Sequence, residues 1–191
     1  KSCIPIELIP PTRQQIVSSR SFGVDLSDFD ELNQALTALT RKAVNKLNNH
    51  KLAMTTMTVF IYTNPHKKNT PCVHLSKTVG MPIAIEDESQ IIPLASQILR
   101  LIYKPGYSFN KGGVVLSNLS KNYRQQDLFS ISQNSQSQVL SRKKSNAIKG
   151  VNKRFNESIK YASEVGSDRW LPRADFRSNR YTTNWSELLI I

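Results

Sequence analysis

The sequence predicts an α+β fold: a four-stranded sheet with two helices on one face, followed by a small, mostly helical or irregular C-terminal extension. Three observations carry this expectation. Two stretches place apolar residues at helical spacing, four have the composition or alternation of strands, and together they run β-α-β-β-α-β. At 191 residues the chain holds one domain of ordinary size plus an appendage.

Residues 1–13 carry Pro5, Pro10 and Pro11 and read as an extended connector. Residues 14–22 lack Pro and Gly, include Ile16, Val17 and Phe22, and read as a hydroxyl-rich strand closed by Gly23. Leu32, Ala35, Leu36, Leu39, Ala43 and Leu47 then mark an amphipathic helix over 29–48. The acidic cluster Asp25, Asp28, Asp30 and Glu31 stands at its start, where carboxylates complement the helix dipole. Residues 54–63 alternate Met57, Val59 and Ile61 with Thr56, Thr58, Phe60 and Tyr62. The first set suits a helix-covered face, the second an open one. Residues 72–79 make a shorter strand carrying Lys77 and Thr78. Glu86, Asp87 and Glu88 head a second helix through Ile91, Ile92, Ala95, Ile98, Leu99 and Ile102. After Pro105-Gly106, residues 107–117 supply the fourth strand, with Val114, Val115 and Leu116.

The domain thus spans 14–119. Residues 120–145 are rich in Ser, Gln and Asn and read as linker. Within them, Gln125, Asp127, Leu128 and Phe129 form a short run whose two large apolar side chains suit a pocket on another protein. Residues 146–191 hold too little apolar mass for a core of their own. A short helix is expected near 146–156, and Trp170, Tyr181, Trp185 and the closing Leu188-Leu189-Ile190-Ile191 must pack on something.

The net charge is +12, and residues 121–180 alone contribute +8. Nucleic acid is the natural partner of such a chain. No apolar run approaches the roughly 20 residues that span a bilayer, so no membrane and a cytoplasmic location are expected. Cys3 and Cys72, with His50, His66 and His74, show neither a disulfide framework nor metal-ligand spacing.

The stretch Gln14 to Gly23 resembles the opening strand of the little-finger domain in the UmuC branch of Y-family DNA polymerases. Gly106-Tyr107 with Lys111, Gly113-Val114 and Leu116 resembles that domain's last strand. Gln125-Gln126-Asp127-Leu128-Phe129 resembles the peptide that tethers bacterial polymerases to the sliding clamp. Trp170 and Arg180-Tyr181-Thr182-Thr183-Asn184-Trp185-Ser186-Glu187-Leu188 resemble the family's closing module, although Asn179, Lys149 and Asn156 depart from its pattern.

The resemblance implies a little-finger-type fold that grips primer–template DNA without reading sequence. Ser18, Arg20, Ser21, Thr56, Thr58, Lys77, Thr78 and Lys111 would contact DNA, provided they lie on the open face of the sheet. Gln125, Asp127, Leu128 and Phe129 would bind the clamp. A UmuD-type accessory dimer and the RecA filament are further implied partners. Polymerase chemistry and its magnesium would belong to a palm domain preceding Lys1, leaving no catalytic residue, metal site or cofactor in this stretch. Two other readings remain. An RNA-recognition motif shares the element order, with Phe60 and Tyr62 as stacking rings. A nuclease would use Asp25, Asp28, Asp30 and Glu31 with magnesium.

Overall fold

The structure, a computed structural model, describes residues 13–67, 71–121 and, between 143 and 188, all but 146, 149, 153, 156–157, 167 and 173–175. Its main elements are β1 (Gln15–Leu26), α1 (Phe29–Asn49), β2 (Leu52–Thr63), β3 (His74–Ile85), α2 (Glu88–Ile102) and β4 (Phe109–Lys121). They form one four-stranded sheet of order β1-β4-β2-β3, antiparallel throughout. The expected α+β class and element order are observed.

Strand limits differ from the sequence expectation where a local irregularity lets the ladder continue. Gly23 does not close β1; the strand runs on to Leu26 through a register shift after Ser21. β3 starts later than residue 72 and continues through Gly80 and Pro82 to Ile85. Pro82 falls in the shift between the Thr56–Gly80 and Met54–Ile85 pairs, where the ladder asks no N–H of it. β4 extends to Lys121, which pairs with Leu52.

Both helices begin on an aspartate. Asp28 Oδ2 accepts from the backbone N–H groups of Asp30 (3.0 Å) and Glu31 (3.2 Å). Asp87 Oδ1 accepts from Ser89 N–H at 3.1 Å. Each carboxylate satisfies helix-end donors that would otherwise lack partners.

The core lies between the helices and one face of the sheet. Leu32, Ala35, Leu36, Ala43, Val44 and Leu47 of α1 and Ile91, Ala95, Ile98 and Leu99 of α2 pack onto Met57, Val59, Ile61, Val114 and Leu116. Burial on α1 exceeds that of a one-sided amphipathic helix: Thr37, Ala38 and Arg41 are buried too. Residues near the C-terminus provide the cover. The 3-10 turn Ala162–Glu164 brings Glu164 Oε2 to 2.8 Å from Arg41 Nη1, and Glu88 of α2 approaches Arg41 Nε at 3.6 Å. Arg169 pairs with Glu31 at 3.2 Å. Trp170, in a second 3-10 turn (Asp168–Trp170), joins the core at 7% exposure. The tryptophan that needed a packing partner finds it in the core of the main domain. At Gly23, the Leu171 carbonyl occupies the space a side chain would need. Gly23 is therefore a point of backbone contact, not a strand terminator.

Candidate nucleic-acid interface

Directly opposed residues of an antiparallel pair project to the same side of a sheet. Register therefore assigns a face to each strand position. Met57, Val59 and Ile61 are buried beneath the helices, so Thr56, Thr58, Phe60 and Tyr62 project the other way. Pairing outward from β2 gives four rows across the sheet. They are Gln15–Ser117–Thr56–Gly80, Val17–Val115–Thr58–Thr78, Ser19–Gly113–Phe60–Ser76 and Ser21–Lys111–Tyr62–His74.

The open face is thus a grid of hydroxyls and small residues, with one lysine and an aromatic corner. The Thr58 and Thr78 hydroxyls share a hydrogen bond of 2.8 Å across β2 and β3. At the centre, a Cβ on Gly113 would lie 2.7 Å from Phe60 Cζ and 2.8 Å from Ser19 Cα. The bare glycine lets the Phe60 ring lie close over the β4 backbone. Gly112 does the same on the helix side, where a Cβ would stand 2.9 Å from Phe22 Cζ.

Five of the eight residues expected to meet DNA share this face: Ser21, Thr56, Thr58, Thr78 and Lys111. Three do not, and this corrects the sequence expectation. Ser18 opposes Val114, Arg20 opposes Gly112 and Lys77 opposes Val59, so all three project to the helix side. Ser18 is buried there at 6% exposure. Arg20 and Lys77 sit on the two edge strands, flanking the helices. Conversely, Gln15, Ser19, Ser76, His74 and Ser117 were not singled out and belong to the open grid. Gln125, Asp127, Leu128 and Phe129 lie outside the described residues.

The acidic cluster is dispersed among structural duties. Asp28 caps α1 and Glu31 faces Arg169. Asp25 accepts from Asn110 Nδ2 at 3.0 Å and pairs with Lys67 Nζ at 3.1 Å. Partial burial pushes the Asp25 carboxyl upward, but the Asn110 bond and the Lys67 bond and charge outweigh it and hold it below the usual carboxylate value. These positions do not fit a shared metal. Among the described residues, no group of three or more His, Cys, Asp or Glu is arranged to hold one.

The C-terminal residues that carried the sequence resemblance form a self-bonded loop. Glu187 Oε2 accepts the Arg180 backbone N–H at 2.6 Å, and Glu187 Oε1 accepts from Arg180 Nη2 (3.0 Å) and Asn184 Nδ2 (2.7 Å). The Arg180 backbone bond, then the Arg180 and Asn184 side chains, hold the Glu187 carboxyl below its ordinary value. The loop displays Trp185 at 90% exposure.

These features define a domain with one helix-packed and one open, polar sheet face. Residues 13–128 match the impB/mucB/samB family C-terminal domain, and the chain belongs to that family. Residues 145–191 match a domain of unknown function, DUF4113. The chain is 30% identical to Protein MucB of Escherichia coli over all of its own length and 44% of that protein. It is 29% identical to Protein ImpB of Salmonella typhimurium over 98% of its length and 44% of that protein. It therefore spans less than half the length of these relatives. Among solved structures, a Y-family DNA polymerase chimera, Dbh-Dpo4(243-245)-Dbh, aligns with 62% of this chain and 32% of its own (17% identity, TM-score 0.49). The little finger domain of PolIV, in complex with the β-clamp processivity factor, aligns with 61% of this chain and 99% of its own (12% identity, TM-score 0.43).

Proposed function

We propose that this chain is the C-terminal, DNA-gripping and clamp-tethering region of an error-prone translesion DNA polymerase acting in the cytoplasm in SOS repair and mutagenesis. The observation that carries the reading is the division of the sheet. Helices fill one face; hydroxyls, glycines and Lys111 line the other, with Val17, Val115 and the rings of Phe60, Tyr62 and His74 among them. Such groups bond phosphate oxygens without reading base edges. A polymerase that must accept damaged template needs contacts of that kind. The net charge of +12 supports a polyanionic partner. Ser21, Thr56, Thr58, Thr78 and Lys111 are the proposed contacts, joined by Ser19, Ser76 and Ser117.

The clamp tether is assigned to Gln125, Asp127, Leu128 and Phe129, shortly after β4 ends at Lys121. A UmuD-type dimer or RecA filament is assigned to the closing segment, whose exposed Trp185 supplies an anchor. Nucleotidyl transfer and magnesium belong, in this reading, to a palm domain of the polymerase. The second reading, an RNA-binding module, is favoured by Phe60 and Tyr62. Against it, the other central strand, β4, presents Lys111, Gly113, Val115 and Ser117 on that face, with no ring among them. Tighter binding of single-stranded RNA than of primer–template DNA would select it.

Duplex binding measured against salt tests the grip. Neutralising about 3–5 phosphates gives a log–log slope of about −3 to −4; a flat response would overturn the reading. Titration against a bacterial sliding clamp tests the tether. Affinity near 1 μM, about −8 kcal/mol, should vanish in the Leu128→Ala/Phe129→Ala variant.

A further inference from the structure

One corner of the open face is not built for phosphates. Phe60, Tyr62 and His74 form a ladder of rings. The Phe60 and Tyr62 centroids are 5.0 Å apart with planes at 31°, and Tyr62 and His74 stack at 4.3 Å and 25°. Sheet geometry explains the arrangement. Phe60 and Tyr62 are two apart on one strand, and Tyr62 directly opposes His74 on the next. His74 is exposed and lies on the edge strand. Among the described residues its one ring partner is Tyr62, and Cys72 Sγ lies 3.8 Å from its Nε2.

Beside the ladder lies an open cleft of about 360 Å³, whose walls include Ser21, Tyr62, His66, His74, Asn110 and Lys111. Its chemistry is a flat aromatic surface beside hydroxyl, amide and ammonium donors. Lys111 and His74 flank Tyr62 in one row, two strand spacings or roughly 10 Å apart. This is about the reach of a nucleotide from its base to a flanking phosphate.

Holding β2 to β3 would require only the Tyr62–His74 contact. The exposed imidazole and the donors around it exceed that duty. We infer that the ladder and its cleft hold one unpaired base of a single-stranded nucleic acid. The base lies in the cleft against the Tyr62 and His74 rings, and its phosphate meets Lys111. Ring stacking accepts any base, because every base has a π-face. The inference rests on the nucleic-acid reading of this face and adds to it a preference for unpaired over paired bases.

The test uses the full chain and three labelled DNA probes: a blunt duplex, the same duplex with a single-stranded overhang, and that overhang made abasic. The intact chain should bind the ordinary overhang about tenfold more tightly than either other probe. His74→Ala, an exposed edge substitution, and Tyr62→Ala should each abolish this preference and leave blunt-duplex affinity within about twofold. Circular dichroism melting of both variants checks that they fold. If the abasic overhang binds as tightly as the ordinary one, the phosphates alone are responsible and the inference falls. It falls too if folded variants keep the preference, or lose affinity for every probe equally. Retained, salt-dependent duplex binding in those cases leaves the phosphate grip intact. No binding of any probe by the intact chain overturns both readings.

Discussion

At the scale of single residues, the backbone conformation after α1 is informative. Lys51 follows the His50 cap with φ 53°, in the left-handed region. Side chains disfavour that region by about 1–2 kcal/mol, and glycine usually fills the position. Glycine loses more freedom on folding, about 0.5–1 kcal/mol. Lys51→Gly should therefore stabilise the protein by about 0.5–1 kcal/mol, read as a higher urea midpoint at unchanged slope. Asn118 has φ 52° in β4, and asparagine is, after glycine, among the residues that accept this most readily. The facing of Arg20 and Lys77 was legible in the sequence by parity. Ile16 and Phe22 share even numbering with Ser18 and Arg20; Leu75 and Val79 share odd numbering with Lys77. Each apolar pair marks its strand's core side, but Val17 blurs the signal in β1. In β2 the alternation is clean from Thr56 to Tyr62, and there the sequence assigns each face as the register does; Met54, of the same parity as Thr56, is buried where the β2–β3 register shifts between them. The cover on α1 was not legible, because nothing near Thr37 or Arg41 in sequence announces a partner more than a hundred residues away.

At the scale of elements, Arg41 joins three pieces of chain: α1, α2 through Glu88 and the Ala162–Glu164 turn through Glu164. Both Arg41 and Glu88 are about 5% exposed. Removing one member of a buried ionic group leaves charge uncompensated and costs about 3–5 kcal/mol. Arg41→Ala should lose that much in urea unfolding. Arg41→Leu combined with Glu88→Leu and Glu164→Gln should lose far less, because no uncompensated charge then remains at the junction. Tyr161 borders the same junction. Burial first, then the Glu88, Asp87 and Glu164 charges, raise its hydroxyl from 10.0 to about 12, against a smaller opposing effect of Arg41. The folded state keeps this proton where the unfolded state gives it up. Its contribution to stability is therefore complete below about pH 10 and is lost as pH rises towards about 12. Urea unfolding across that window should show the fall in the native chain and a shallower one in Tyr161→Phe.

At the scale of the whole molecule, the two sides of the sheet should answer differently to salt. Lys111 projects from the open face, so Lys111→Ala should make the log–log slope of duplex binding shallower by about one. Arg20 projects to the helix side, and Arg20→Ala should leave the slope unchanged. An equal effect of the two would mean that DNA wraps the β1 edge and does not lie on the open face. No described helix is long and apolar enough to cross a membrane. The adjacent glycines of β4 have a last consequence, for the fidelity of folding. The register sets Phe60 against Gly113 and Ile61 against Gly112. A slip of one residue reverses the face of every β4 side chain. Slipped one way, Lys111 would stand opposite Ile61 in the core; slipped the other way, Val114 would be forced beneath the Phe60 ring. Both errors are heavily penalised, so two residues without side chains proofread the alignment of the central strands.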